Sequence, residues 1–207
     1  MKIVVVGTGD MGGAIARALA ERTLHDVRVC GSRSDSASAK KIIAANPERI
    51  RAATEHDIAM ADAVFLAVPW DAIDAATDSL TAFAGSVISV VVPWSADGQG
   101  DPRTTLTSAA ERIAARLPAA RVACAFTSIS SQVVDDPGQS RRPSVVACGD
   151  DEACAVALSL ARELGFSPVR GGGLQAARYA EGLGLLWASL AYDAGYGERV
   201  AYEIFVA

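Results

Sequence analysis

The chain has 207 residues, enough for one large domain or a domain with a small appendage. Apolar residues make up 51% of it and charged residues 21%, the balance of a globular protein and not of a disordered one. The 19 basic and 24 acidic side chains leave a net charge of −5 with no basic run, which argues against a dedicated nucleic-acid binder.

No apolar stretch reaches the roughly 18 residues of a membrane span. Met1 to Val6 opens like a signal peptide, but the run is short and glycines and Asp10 interrupt it at once, so a cytoplasmic location is expected. Lys2 to Val6 is a β-branched run and reads as a buried strand. Gly7-Thr8-Gly9-Asp10-Met11-Gly12 follows, and then an Ala-rich helix over Met11 to Glu21 with Ile15 and Leu19 four apart. This is G-x-G-x-x-G between a strand and a helix, the context in which the pattern cradles a dinucleotide. The first glycine allows the tight turn, the second lets the backbone approach a pyrophosphate, and the third lets helix and strand pack closely. The helix N-terminus offers free N–H groups to the phosphates.

Val27 to Gly31 is a second strand. About 20 residues after the glycine motif an NAD site carries an acid for the ribose hydroxyls. Here stands Gly31-Ser32-Arg33-Ser34. Ser32 can hydrogen-bond a 2′-phosphate and Arg33 can offer it a planar charged fork, so the expected cofactor is NADP(H). Asp35 is expected to cap a helix running to Ala45, closed by Asn46-Pro47, before a short strand at Ile50 to Ala53. Thr54 reads as the cap of a helix from Glu55 to Ala61.

Ala63 to Val68 and Val87 to Val92 are further strands, each ending in Pro-Trp. Helices are expected at Trp70 to Leu80 and Thr104 to Leu117, with a loop over Trp94 to Arg103, and a sixth strand at Arg121 to Phe126. Thr127 to Ser144 is polar and reads as a long loop. Beyond it come a strand at Ser144 to Cys148, a helix capped by Asp150 or Asp151 and running to about Leu164, and an extended Pro168 to Arg170. A Gly171-Gly172-Gly173 hinge and a long apolar helix from Leu174 to Tyr192 complete the series. The alternation predicts an α/β fold: a Rossmann-type, doubly wound, mainly parallel sheet with a small helical C-terminal part. Residues 1–126 are expected to form the NADP-binding core and residues 127–207 a part that covers the acceptor and dimerises.

In such sheets ligands lie beyond the carboxyl ends of the strands. Val68-Pro69-Trp70 and Val92-Pro93-Trp94 place rigid backbone and flat aromatic rings there, which suits a nicotinamide and a flat partner. A convincing set of catalytic acids and bases is missing: there is no G-x-S-x-G, no Tyr-x-x-x-Lys, and neither His25 nor His56 is near a strand end. Carbonyl reduction needs a proton donor, whereas exchange between two stacked redox cofactors needs mainly positioning and exclusion of water. The four cysteines form no C-x-x-C pair and read as buried small hydrophobes, and no metal site is expected. Arg178 and Glu181, three apart on one helix face, either pair with each other or leave Arg178 to meet an anionic acceptor.

Several of these pieces occur together in one family. Gly7-Thr8-Gly9-Asp10-Met11-Gly12, Gly31-Ser32-Arg33, Val68-Pro69-Trp70 with Ala72-Ile73-Asp74, Val92-Pro93, Cys148-Gly149-Asp150-Asp151 and Gly171-Gly173-Leu174 with Ala177-Arg178 and Glu181 stand in the order seen in NADPH-dependent reductases of coenzyme F420, a deazaflavin. The chain resembles that family nearly end to end. The resemblance implies direct hydride transfer between NADP(H) and the deazaflavin, and a homodimer. It also implies that Thr8, Gly9, Asp10 and Met11 hold the pyrophosphate, and Ser32 and Arg33 the 2′-phosphate. Val68 and Pro69 would line the nicotinamide pocket, and Trp70, from its place at the strand end, is expected to bind the cofactor beside them. Pro93, Ile129 and Leu174 would face the acceptor. The stretch from Phe126 to Ser144 departs from the family pattern. That leaves open another acceptor (a flavin, a metal or a small imine) or an NADP(H)-binding sensor without turnover.

Overall fold

A computed structural model describes residues 1–31, 36–94, 106–138 and 141–205. Eight strands form one sheet: β1 (Lys2–Val6), β2 (Asp26–Cys30), β3 (Ile50–Ala52), β4 (Ala63–Leu66), β5 (Ser86–Ser89), β6 (Arg121–Cys124), β7 (Ser144–Gly149) and β8 (Ser167–Gly172), in the order β3-β2-β1-β4-β5-β6-β7-β8. The first six run parallel, β7 is antiparallel to β6, and β8 is parallel to β7. The expected mainly parallel, doubly wound sheet is therefore present, with one reversal in the C-terminal part.

The strands are buried on both faces, which is why they read as unbroken apolar runs. Ile3, Val5, Phe65 and Ile88 point into one core layer, and Val4, Val6, Val64 and Leu66 into the other. The first layer is covered by α1 (Asp10–Arg22), α2 (Ala37–Ala45), α6 (Ser131–Asp135) and α7 (Asp151–Glu163). The second is covered by α3 (Glu55–Ala59), α4 (Ile73–Asp78), α5 (Ala109–Arg116) and α8 (Ala177–Ala188).

Local chemistry fixes the helix starts. Thr54 and Ser108 each close a reciprocal capping box with the residue three further on, Asp57 and Glu111. Asp150, as expected, accepts from two amides of the first turn of α7. The cap of α2 is Ser36; Asp35 lies outside the described residues. The helix expected from Trp70 begins as a 3-10 turn and becomes α-helical only at Ile73, and the one expected from Thr104 starts at Ala109, after its Ser108 cap.

The polar stretch expected to be a long loop contains α6, anchored by arginines of α1. Arg17 makes a two-point pair with Asp135 at 3.1 and 2.7 Å, and Arg22 donates to the carbonyls of Val134 and Leu164. Residues after Phe126 share the first core layer and the sheet with residues before it. The helix expected over Leu174 to Tyr192 is in three parts: a 3-10 turn at Leu174–Ala176, α8, and one π-type turn at Ser189–Asp193. The tail packs back on the sheet, with the Ser144 amide donating to the Tyr202 carbonyl at 2.8 Å and the Trp187 indole to the Val200 carbonyl at 2.8 Å.

Phe65, Phe126 and Phe166 form an edge-to-face chain in the first layer, with centroids 6.0 and 5.8 Å apart. Phe166 is 1% exposed. Phe166→Ala is expected to lower the unfolding free energy by about 3–5 kcal/mol, measured by urea denaturation.

Candidate functional site

A cleft of about 450 Å³ opens at the carboxyl ends of β1, β4, β5 and β6. It lies where the chain order reverses between β1 and β4, the switch point at which open α/β sheets bind ligands. One end is the glycine turn. Gly7 has φ +100°, and a Cβ there would fall 2.0 Å from the Ala67 carbonyl oxygen. Only glycine allows β1 to turn into α1 this close to β4.

Gly9 is the N-cap of α1 and gives no side-chain hydrogen bond to its first turn. A Cβ at Gly9 would meet nothing within 4 Å. This is an open, uncapped helix N-terminus facing a cleft, a fit for a pyrophosphate. Gly9, Asp10 and Met11 line the cleft directly. Thr8 does not. It is buried, and its hydroxyl reaches Ser38 Oγ at 2.7 Å and Ser36 Oγ at 3.3 Å, tying the turn to the start of α2. Gly7 and Gly12 are also buried and shape the turn from behind. Ser32 and Arg33 lie outside the described residues.

The far end is apolar and aromatic. Val68 and Pro69 line it after β4, Val90 to Val92 and Trp94 after β5, and Phe126, Thr127 and Ile129 after β6. Phe126 has φ +60°, alone among the described non-glycine residues, and this left-handed step swings Thr127 to Ser131 along the cleft wall.

Three expected residues are placed elsewhere. Trp70 is 5% exposed and packs into the second core layer with the Arg112 guanidinium 5.1 Å from its ring centre. The 3-10 turn after Pro69 carries its indole off the cleft and over the sheet. Pro93 is buried, and its neighbours Val92 and Trp94 face the cleft in its stead. Leu174 sits beyond the hinge beside Leu117 and Gly149, on a separate surface depression.

Sequence reasoning missed the C-terminal wall. Gly184, Trp187 and Ala188 of α8, then Tyr192 and Glu198, close the cleft opposite the glycine turn. Tyr192 donates to Glu198 Oε1 at 3.2 Å, and Gln132 donates to Glu198 Oε2 at 2.8 Å. Burial and the Glu198 carboxylate push the Tyr192 phenol up, so it keeps its proton at neutral pH. These residues carry no motif, and only the fold brings them to the site. Neither histidine and no lysine lines the cleft, and the described residues hold no group of three or more potential metal ligands.

Arg178 and Glu181 do not pair. Arg178 grips Glu111 at 2.7 Å through both Nε and Nη2. Glu181, 1% exposed, accepts from the Ala109 and Ala110 amides at 2.7 and 3.1 Å and so caps α5 from α8. The two contacts clamp the helix that walls the cleft onto the helix that follows β5.

Residues 2–93 match the family model of the coenzyme F420-dependent NADP oxidoreductases. The match covers β1 to Pro93 and so includes the glycine turn, the Pro69-Trp70 strand end and Pro93 of the second; the resemblance drawn from the sequence holds there. The fold is shared with a protein from Arthrobacter sp. FB24 named as a candidate F420-dependent NADP-reductase (TM-score 0.80, 24% identity, 98% of this chain and 100% of that one). It is shared too with a hypothetical protein of Sinorhizobium meliloti (0.73, 23%, 84% and 86%). An imine reductase from Pseudomonas sp. has the same fold over part of its length (0.67, 15%, 93% of this chain and 62% of that one).

Two outcomes follow. Gly9→Ala points a methyl into open space, so stability should stay within about 0.5 kcal/mol of wild type while NADPH affinity, read by fluorescence titration, falls at least several-fold. Burial raises Glu181 from an ordinary 4.5 to about 7, although the two amides pull it down. Its folded value lies above its unfolded one, so its stabilising contribution is complete below about pH 4.5 and is lost as pH rises to about 7. That difference is worth about 3 kcal/mol. Thermal melts of wild type should show a decline across this window that Glu181→Gln removes.

Proposed function

We propose that the protein transfers hydride between NADP(H) and coenzyme F420 or a closely similar flat deazaflavin. The observation that carries this reading is the two-ended cleft: an open, uncapped helix N-terminus at one end and an apolar, aromatic chamber at the other, on a single switch point. Gly9, Asp10 and Met11 hold the pyrophosphate, with Gly7 and Gly12 shaping the turn and Thr8 bracing it. Ser32 and Arg33 hold the 2′-phosphate. Val68 and Pro69 position the nicotinamide, which supplies the hydride when NADPH is bound. Ile129, Phe126, Trp94 and Trp187 flank the acceptor ring and keep water out, which favours direct transfer.

Residues 1–126 serve as the cofactor-binding core, and residues 127–207 as the acceptor cover. A homodimer fits the exposed apolar side chains of that cover, among them Tyr179 at 80%, Tyr196 at 71% and Phe205 at 78% exposed. No helix of the described residues is long and apolar enough to cross a membrane. A cytoplasmic location is part of the proposal.

The Tyr192–Glu198 pair favours a second reading. A phenol that keeps its proton, on the cleft wall, is the donor a small imine would need. A paired assay separates the two. NADPH oxidation is followed with coenzyme F420, with FMN or FAD, and with a cyclic imine. Deazaflavin turnover that survives Tyr192→Phe supports the first reading. Imine turnover that Tyr192→Phe reduces at least tenfold supports the second. Tight NADPH binding with no turnover on any acceptor would leave a sensor. Arg33→Ala should weaken NADPH binding by about 1.5–3 kcal/mol and leave NADH binding nearly unchanged; equal losses would mean that Arg33 does not read the 2′-phosphate.

A further inference from the structure

The antiparallel junction between β6 and β7 places two cysteines face to face. Cys124 of β6 and Cys148 of β7 are directly paired in register. Both are free thiols, 0% and 2% exposed, and both point into the core layer beneath Ala177 and Ala180 of α8. The two thiols are near enough to shift each other's ionisation in opposite directions. Gly171 of the neighbouring strand leaves the room they occupy, since a Cβ there would fall 2.5 Å from Cys148 Sγ. Directly opposed residues of an antiparallel pair have Cα atoms about 4.5–5.5 Å apart, inside the roughly 4.4–6.8 Å that a disulfide spans.

We propose that Cys124 and Cys148 are a redox-modification site that closes into a reversible intramolecular disulfide when the protein meets a small peroxide. The two sulfurs have separate parts. The Cys124 thiol and the Arg170 guanidinium favour the thiolate at Cys148, whereas Cys148 and burial push Cys124 up. Cys148 Sγ attacks a peroxide oxygen, the O–O bond breaks, and a sulfenic acid forms with loss of hydroxide. Cys124 Sγ then displaces the sulfenic oxygen as water and the S–S bond forms. Two thiols and one hydrogen peroxide become one disulfide and two waters. The two sulfurs lose two electrons in all, and the peroxide gains them.

The bond has a functional position. The segment between the two cysteines contains Phe126 to Ser131, one wall of the cleft, and α6. Oxidation staples both ends of that segment to each other. Cys154, nearby in α7, is pushed up to about 11 and is a poor competitor.

The test uses the whole, reduced protein treated with hydrogen peroxide under native conditions, then alkylated and read by intact mass and peptide mapping. The expected result is a loss of two hydrogen masses per chain, one cross-linked peptide pair joining Cys124 to Cys148, and full reversal by dithiothreitol. Cys148→Ala should lose the cross-link, and Cys30→Ser should keep it. Oxygen adducts on Cys30 or Cys148 without the cross-link, or no change at all, would overturn the proposal. Should Cys148→Ala fail to fold, the wild-type peptide map still decides, because it reads the linked peptides directly.

Discussion

At Gly7 the backbone of the first turn lies so close to the carbonyl of Ala67 that no side chain fits between them. Gly12, one turn into α1, is pressed in the same way, with its Cβ position 2.0 Å from the Gly7 carbonyl oxygen. These contacts seat the start of α1 directly against the ends of β1 and β4. The rest of the site depends on that seating. The helix N-terminus opens onto the switch point, its first turn is left without a side-chain cap, and Gly9 faces empty space. A bulkier residue at Gly7 would push α1 away from the sheet and close the cleft from behind.

The second half of the cleft is built from outside the glycine motif. α8 supplies a wall through Gly184, Trp187 and Ala188, and it is held by two carboxylates with opposite environments. Glu111 is partly exposed and is kept ionised chiefly by Arg178. Glu181 is buried with no cation beside it among the described residues, and its ionised form is supported by two amides of α5 alone. A buried carboxylate held this way costs stability near neutral pH. What it secures is the placement of α8 over the end of β6, where the Thr127 hydroxyl also donates to the Ala180 carbonyl at 3.1 Å.

Much of this was legible in the residues themselves. The glycine turn, the strands buried on both faces, and the caps at Thr54 and Asp150 follow from local rules, and the structure bears them out. What escaped was set by tertiary context. The polar stretch after Phe126 hides α6, a five-residue helix capped by Ser130 and held in place by Arg17 and Arg22 of a distant helix. Glu181 looked like a surface partner of Arg178, since helical spacing cannot show that a neighbouring helix ends above it. Trp70 looked like a cofactor contact until the 3-10 turn after Pro69 carried it into the core. The reversal at β7 could not be read either, because a short apolar strand looks the same in both directions.

The central claim is that one cleft holds NADP(H) and its acceptor close enough for direct transfer. Its most direct test is a single turnover with NADPH deuterated at the transferred nicotinamide position and coenzyme F420 as acceptor. The account predicts that the label appears in the reduced deazaflavin without dilution by solvent hydrogen. A label lost to water, or no reduction of the deazaflavin by an enzyme saturated with NADPH, would contradict it.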